Sequence, residues 1–314
     1  MKERIKDGIN DAVASVLWCI CYLVAILPHC VRFKVLVPFI AFVLRDIVHY
    51  RRKTIVRQLR DSFPQKSEEE LREICRRNYD FLAEMIICTI SMAKMKGKER
   101  RKVMEFDVPE NFQELAGNQN VVFLASHYGF WEFALNIYLQ LPNHYMIGAY
   151  HPLTSGVMDK LFIRLRKVDT VVLVPSRGVM RYFFNNAKSE KPALLALGLV
   201  ADQNCPPTRG CCWHKFLNHD TLFFDGGEQL ALRYGMPVFY LDLERLKGGH
   251  YRIRATQLYD GSEEMKPHEI TEKYIRHLER TIEAKPEEWL WSHNRWKFKP
   301  DAEAKFYDNY KERE

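Results

Sequence analysis

No phosphate-cradling glycine loop is present in this chain. Neither G-x-x-x-x-G-K-[ST] nor G-x-G-x-x-G occurs in its 314 residues, which argues against kinase, ATPase and dinucleotide-dependent readings. A G-x-S-x-G elbow is missing as well, so a covalent acyl-serine mechanism is not indicated. Internal repeats and low-complexity tracts are absent. The eight cysteines (Cys19, Cys21, Cys30, Cys75, Cys88, Cys205, Cys211 and Cys212) follow no disulfide framework, and they read as reduced thiols facing a cytosolic compartment. The uncharged apolar run Ala12 to Leu27 is sixteen residues long, short of the about 20 that a full membrane span takes. No small-residue cleavage site follows it, and Met1 to Asp11 mixes acids with bases, which argues against a secretory signal.

What is there begins with length and charge. A chain of this size supports one large α/β domain or two small ones around a sizeable core. Lys and Arg outnumber Asp and Glu by 47 to 40, a formal charge of +7, so an anionic partner fits: nucleic acid, lipid headgroups or an acidic carrier protein. After Ala12 to Leu27 comes a second apolar patch, Val35 to Leu44. The two read as a retained membrane anchor, either a short span or a helical hairpin dipping into one leaflet, or else as a buried helix pair of a soluble domain. The basic run that follows, with Arg51, Arg52, Lys53, Arg57 and Arg60, suits anionic headgroups and favours the membrane. The expected organisation is a hydrophobic membrane-anchor region over residues 1–48 and an α/β domain over residues 49–314.

Ser67 followed by Glu70 is a capping box, and Leu71, Ile74, Cys75, Phe81, Leu82, Met85 and Ile86 keep helical spacing. A long helix is expected over Glu68 to Met95, stopped by Gly97 in the basic linker Lys94 to Lys102. Beyond it strands alternate with helices. Strands are predicted at 121–125, 145–150, 170–174, 193–201, 237–245 and 251–257, the last two a hairpin turning at 247–249. Helices are predicted at 131–139, 155–167, 179–187, 227–234 and 267–284. The fold class is α/β, a mixed, largely parallel sheet flanked by helices, with an N-terminal hydrophobic helical anchor.

One stretch looks like chemistry: Val121 to Leu135, VVFLASHYGFWEFAL. Reactive groups in open α/β sheets gather beyond the carboxyl ends of strands, where His127 falls, and a loop through Gly129 can fold Glu132 back under the imidazole. A carboxylate on one imidazole nitrogen fixes the tautomer and leaves the other nitrogen to take a proton from a hydroxyl. A capped helix start with a structural His explains the same spacing, and on spacing alone both readings stand. Cys205, Cys211, Cys212 and His214 are candidate zinc ligands by residue type. They lack two spaced pairs, and adjacent Cys211 and Cys212 suit a tetrahedral ion poorly, so no metal is assigned.

His127-Tyr-Gly-Phe-Trp-Glu132 resembles the H-x-x-x-x-D/E motif of glycerolipid-type acyltransferases, and its surroundings resemble the lipid A biosynthesis lauroyl/myristoyl acyltransferases. Three further stretches match in order: Tyr50 to Pro64, Leu199 to Gln203, and the Trp-rich Pro286 to Lys297. The resemblance covers roughly residues 10 to 300. It implies acyl transfer from acyl carrier protein to a hydroxyl of a lipid A precursor, at the cytoplasmic face of the bacterial inner membrane. No cofactor or metal is implied, the partners are the carrier, the lipid acceptor and an anionic membrane surface, and nucleic acid is set aside. By position, His127 is the general base and Glu132 its orienting partner. Arg164, with Arg166 an adjacent rival, and Asp202 fall on the family's functional Arg and Asp, with Asp202 positioning Arg164 or substrate hydroxyls. The Cys-rich loop Cys205 to His214 and the Gly-Gly before the helix at 227–234 depart from the family pattern, which opens the acceptor to an aminolipid or glycolipid. A non-catalytic lipid-binding protein on the same scaffold is the alternative of a different class.

Overall fold

The computed structural model describes residues 2–95, 97–168, 170–205, 210–246, 249–301, 304, 306 and 307, with the backbone alone at 2–5 and 187. Part of the Cys205 to His214 loop (206–209) and of the hairpin turn (247 and 248) therefore lies outside the described residues.

The N-terminal helices are α1 (Lys2–Ile26), α2 (His29–Val31), α3 (Val37–Phe42), α4 (Arg52–Ser62) and α5 (Glu68–Ser91), with π-helical turns on either side of α3. The capping box forms as expected: Ser67 Oγ accepts from the Glu70 amide, and the Glu70 carboxylate accepts from the Ser67 amide. The helix ends at Ser91, and Gly97 opens α6 (Gly97–Val103) instead of stopping α5. Then come β1 (Met104–Asp107), α7 (Phe112–Ala116), β2 (Val121–Ala125), a 3-10 helix (Trp131–Gln140), β3 (His144–Tyr150), α8 (Gly156–Arg166), β4 (Val171–Pro175), α9 (Val179–Ala187) and β5 (Leu194–Val200). The chain continues through β6 (Cys211–Phe216), β7 (His219–Phe224), α10 (Gly226–Tyr234), β8 (Val238–Arg245), β9 (Tyr251–Tyr259) and α11 (Glu269–Ala284).

Seven strands form one sheet in the order β1-β9-β8-β2-β5-β3-β4. β8, β2, β5, β3 and β4 run parallel, and β9 with β1 runs against them. Both faces are covered, so β2 is buried along its whole length. Val121, Phe123 and Ala125 join the cluster with Phe112, Phe133 and Phe239, whereas Val122 and Leu124 face α10 and α11. Ile270, Tyr274, Leu278 and Ile282, at steps of four, are the buried stripe of α11. Each such side chain contributes roughly 1.5–3 kcal/mol of burial.

Edge strand β1, short α7 and the β6-β7 hairpin lie outside the elements predicted, as does α6, which takes the place of the expected linker. The hairpin turns through Leu217 and Asn218 at φ 47° and 65°, the two-residue left-handed turn usually announced by Asn-Gly.

The N-terminal region packs on the domain. Lys160 on α8 reaches Asp7 and Asp11 of α1 at 2.9 and 2.8 Å, and Arg164 donates to Ser15 Oγ at 2.8 Å. Ala14, Cys21 and Ala25 are buried on that side, while Ile9, Val13, Val16, Ile20 and Leu23 form an exposed stripe at steps of four and three. Val35, Phe39 and Phe42 extend the apolar surface. The segment Lys6–Ile26 is long and apolar enough to cross a membrane.

Candidate active site

Chain direction places the site. From β2 the chain moves one way along the sheet to β3 and β4, and from β5 it returns the other way to β8. The adjacent ends of β2 and β5 are therefore a topological switch point, where connections diverge and leave a crevice. Ala125 and Val200 are register partners, so His127 and Asp202, each two residues further on, emerge side by side.

Asp202 Oδ1 accepts from His127 Nδ1 at 2.7 Å. Its Oδ2 accepts from the His127 amide at 3.0 Å and from the Trp289 indole at 2.8 Å. Asp202 is 2% exposed. Burial pushes its carboxyl up, but the imidazole charge and these hydrogen bonds outweigh burial and hold it below the ordinary range. With Nδ1 carrying the proton toward an acceptor-only carboxylate, Nε2 is the basic nitrogen, and it accepts from the Gln203 amide at 3.0 Å. Trp131 meets the imidazole edge-on at 5.3 Å.

The expected contact between His127 and Glu132 does not form. Gly129 takes φ +57° and pairs with the closing segment through Glu288 O, sending the following turn away from the imidazole. Arg166 then grips both Glu132 oxygens, at 2.7 and 2.6 Å. Burial works against the Arg166 charge, but the carboxylate more than offsets it, and the guanidinium pKa is raised. Asp202 corrects a second expectation: with its described bonds to His127 and Trp289, it orients the imidazole instead of reaching Arg164, which is exposed and bound to Ser15.

The family model described as bacterial lipid A biosynthesis acyltransferase matches residues 9–298. The chain belongs to this family. It is an acyltransferase acting on lipid. No curated protein gives a match. Among solved structures, the 1-acyl-sn-glycerophosphate (LPA) acyltransferase PlsC from Thermotoga maritima is similar at 16% identity and a TM-score of 0.35, covering 82% of this chain and 96% of that chain.

In this acyltransferase the Trp-rich closing segment buttresses the dyad. Tyr128 bridges Trp289, Leu290 N donates to His127 O at 3.0 Å, and Trp289, Trp291 and Trp296 pack on one another. Arg295, 2% exposed, donates to Leu222 O at 2.7 Å and lies over the Phe223 ring, and burial pushes it down to about 10. Trp289 and Gln203 fall within the matched sequence stretches, but nothing in their local spacing marks them as partners of Asp202 and His127.

Gly129 is demanded by this geometry: a Cβ there would stand 2.1 Å from Leu243 O. Left-handed backbone alone costs an L-residue about 1–2 kcal/mol. Gly129→Ala is expected to lose at least about 2 kcal/mol in a urea melt and to loosen the Tyr128–Trp289 bridge. A variant as stable as wild type removes this account of the turn.

His293 neighbours the dyad in a cavity of about 430 Å³ shared with Arg51, Asn204 and Lys297. Burial, ahead of opposing attraction from Asp202, pushes its imidazole down to about 4. The fold thus favours the neutral ring, and the unfolded chain binds more protons between pH 6.5 and 4. Its stabilising share is complete above about pH 6.5 and lost as pH falls toward about 4. His293→Gln is expected to flatten the pH dependence of the urea midpoint in that window; unchanged slopes would refute it.

Proposed function

We propose that this acyltransferase moves a fatty acyl group from acyl carrier protein to a hydroxyl of a lipid A precursor, at the cytoplasmic face of the bacterial inner membrane. The observation that carries the chemistry is the His127–Asp202 dyad, whose Nε2 is met, among the described residues, by a side-chain amide that a hydroxyl can replace. His127 Nε2 takes the proton of the acceptor hydroxyl as its oxygen bonds to the thioester carbonyl carbon. The tetrahedral intermediate then breaks its carbon–sulfur bond, and the imidazolium returns the proton to the carrier thiolate. Asp202 stabilises that imidazolium and holds its tautomer.

Glu132 enters this proposal through Arg166, as a positioning pair at the start of the 3-10 helix. Arg164, beside α1, is assigned to anionic headgroups. The basic groove of about 840 Å³ lined by Arg51, Arg52, Lys53, Arg57 and Arg60 supports an anionic partner, and the exposed stripe on α1 supports membrane contact.

The test is incubation of the full chain in detergent with acyl-acyl carrier protein and a lipid A precursor, read by mass spectrometry. One added acyl mass supports the assignment. Acylation from acyl-coenzyme A but never from the carrier thioester rejects the donor, and acylation of an aminolipid but not the lipid A precursor rejects the acceptor.

A further inference from the structure

Away from the dyad, the fold brings together three donors from separate segments: Cys212 on β6, Asp225 just before α10, and His268 at the start of α11. One ligand atom from each lies within 4.8 Å of the others. Asp225 Oδ2 and His268 Nδ1 are 3.0 Å apart. Cys212 and Asp225 are each 2% exposed. This is not the cluster that the sequence brought forward. Neighbours on a strand face opposite ways, so Cys211 pairs with Cys205 while Cys212 and His214 share the other face. Asp225 and His268 come from beyond that loop.

We propose that Cys212, Asp225 and His268 form a structural site for a zinc-class divalent ion, bound through Sγ, a carboxylate oxygen and Nδ1, with a fourth position left to water. The donor set selects the metal: thiolate plus imidazole is too soft for magnesium or calcium and suits zinc. Bonds of about 2.0–2.3 Å put tetrahedral donors roughly 3.3–3.8 Å apart, so Asp225 and His268, now 3.0 Å apart, would open slightly, and every donor pair already lies within 4.8 Å.

The surroundings are those of a supported site. Gln229 donates to Asp225 Oδ1 at 2.7 Å, orienting the carboxylate. His214 Nε2 contacts Cys212 Sγ at 3.1 Å, and its Nδ1 is held by Glu272, which in turn accepts from Arg276 at 2.7 Å. Glu228, one turn into α10, is 3% exposed, and its Oε1 has no hydrogen-bond partner among the described residues. Its Oε2 accepts from the Thr271 amide and hydroxyl at 2.8 and 2.6 Å, which ties this end of α10 to the start of α11. The ion would pin the β6-β7 hairpin, which follows Asp202 and Gln203, to the starts of α10 and α11.

The experiment measures metal in full-length protein purified in detergent from zinc-supplemented medium, beside Cys212→Ser and His268→Ala. About one zinc per wild-type chain is expected, falling below about a tenth in both variants. Exchange into Co²⁺ should give thiolate charge-transfer absorption and tetrahedral d–d bands, and chelation should lower Tm. His268 is partly exposed, so its variant is expected to keep the wild-type circular dichroism even where Cys212→Ser does not fold. Wild type with less than about a tenth of a zinc and no Co²⁺ charge-transfer band overturns the site, as does zinc retained in both variants.

Discussion

Asp202→Asn is expected to lower kcat about 10²–10⁴-fold with the fold intact. The size follows from which atoms the amide must face. Oδ2 already receives two N–H donors, the His127 amide and the Trp289 indole, so the Asn carbonyl must take that side. The NH₂ group then points at His127 Nδ1, which becomes an acceptor. The ring proton moves to Nε2, and the nitrogen that should take the acceptor's proton already carries one. Lost attraction between carboxylate and imidazolium adds to the effect. Glu132→Gln is the comparison: it touches Arg166, not the imidazole, so stability should fall while kcat changes by less than about tenfold. Steady-state kinetics with melts on both variants decide. A near-normal Asp202→Asn beside an inactive Glu132→Gln would restore Glu132 as the partner of the base.

His127→Ala is expected to remove about 10³-fold or more of the rate, with KM for the acyl donor little changed, because the imidazole acts on the reacting proton and not on the donor's binding. Adding Asp202→Asn to that variant should cost almost nothing further. Residues that act as a unit are non-additive: once the base is gone, its orienting carboxylate has nothing to orient. The measurement is a double-mutant cycle on kcat/KM. Independent, additive losses would mean that Asp202 serves substrate directly, one of the two roles that its sequence position suggests.

The two carboxylates show where sequence reasoning reached and where it stopped. His127 was legible because an apolar strand ends abruptly at a polar residue before a glycine, a local pattern. For its partner, chain spacing points to Glu132, five residues away, because spacing measures only chain distance. The actual partner is 75 residues on and is brought there by the pairing of β2 with β5. Arg166 was visible as the rival of Arg164, yet only packing decided that Arg164 turns to α1 and Arg166 to Glu132.

The β6-β7 hairpin stayed hidden because its turn uses Leu217 and Asn218 in a conformation that Asn-Gly ordinarily announces, and because its first strand begins in a Cys-rich stretch that looks like loop. With the hairpin unseen, Cys212 could not be set against Asp225 and His268.

By itself, the sequence determined the alternation of strands and helices, the capped α5, the buried stripe of α11, the basic and apolar N-terminus and the histidine just past the end of β2. These follow from periodicity and from short-range hydrogen bonding, which act over a few residues. Tertiary structure alone decided the partner of His127, the partner of Glu132 and the docking of α1 on α8. Those contacts join residues from 34 to 149 positions apart, and the register and crossover order that set them are properties of the packed sheet.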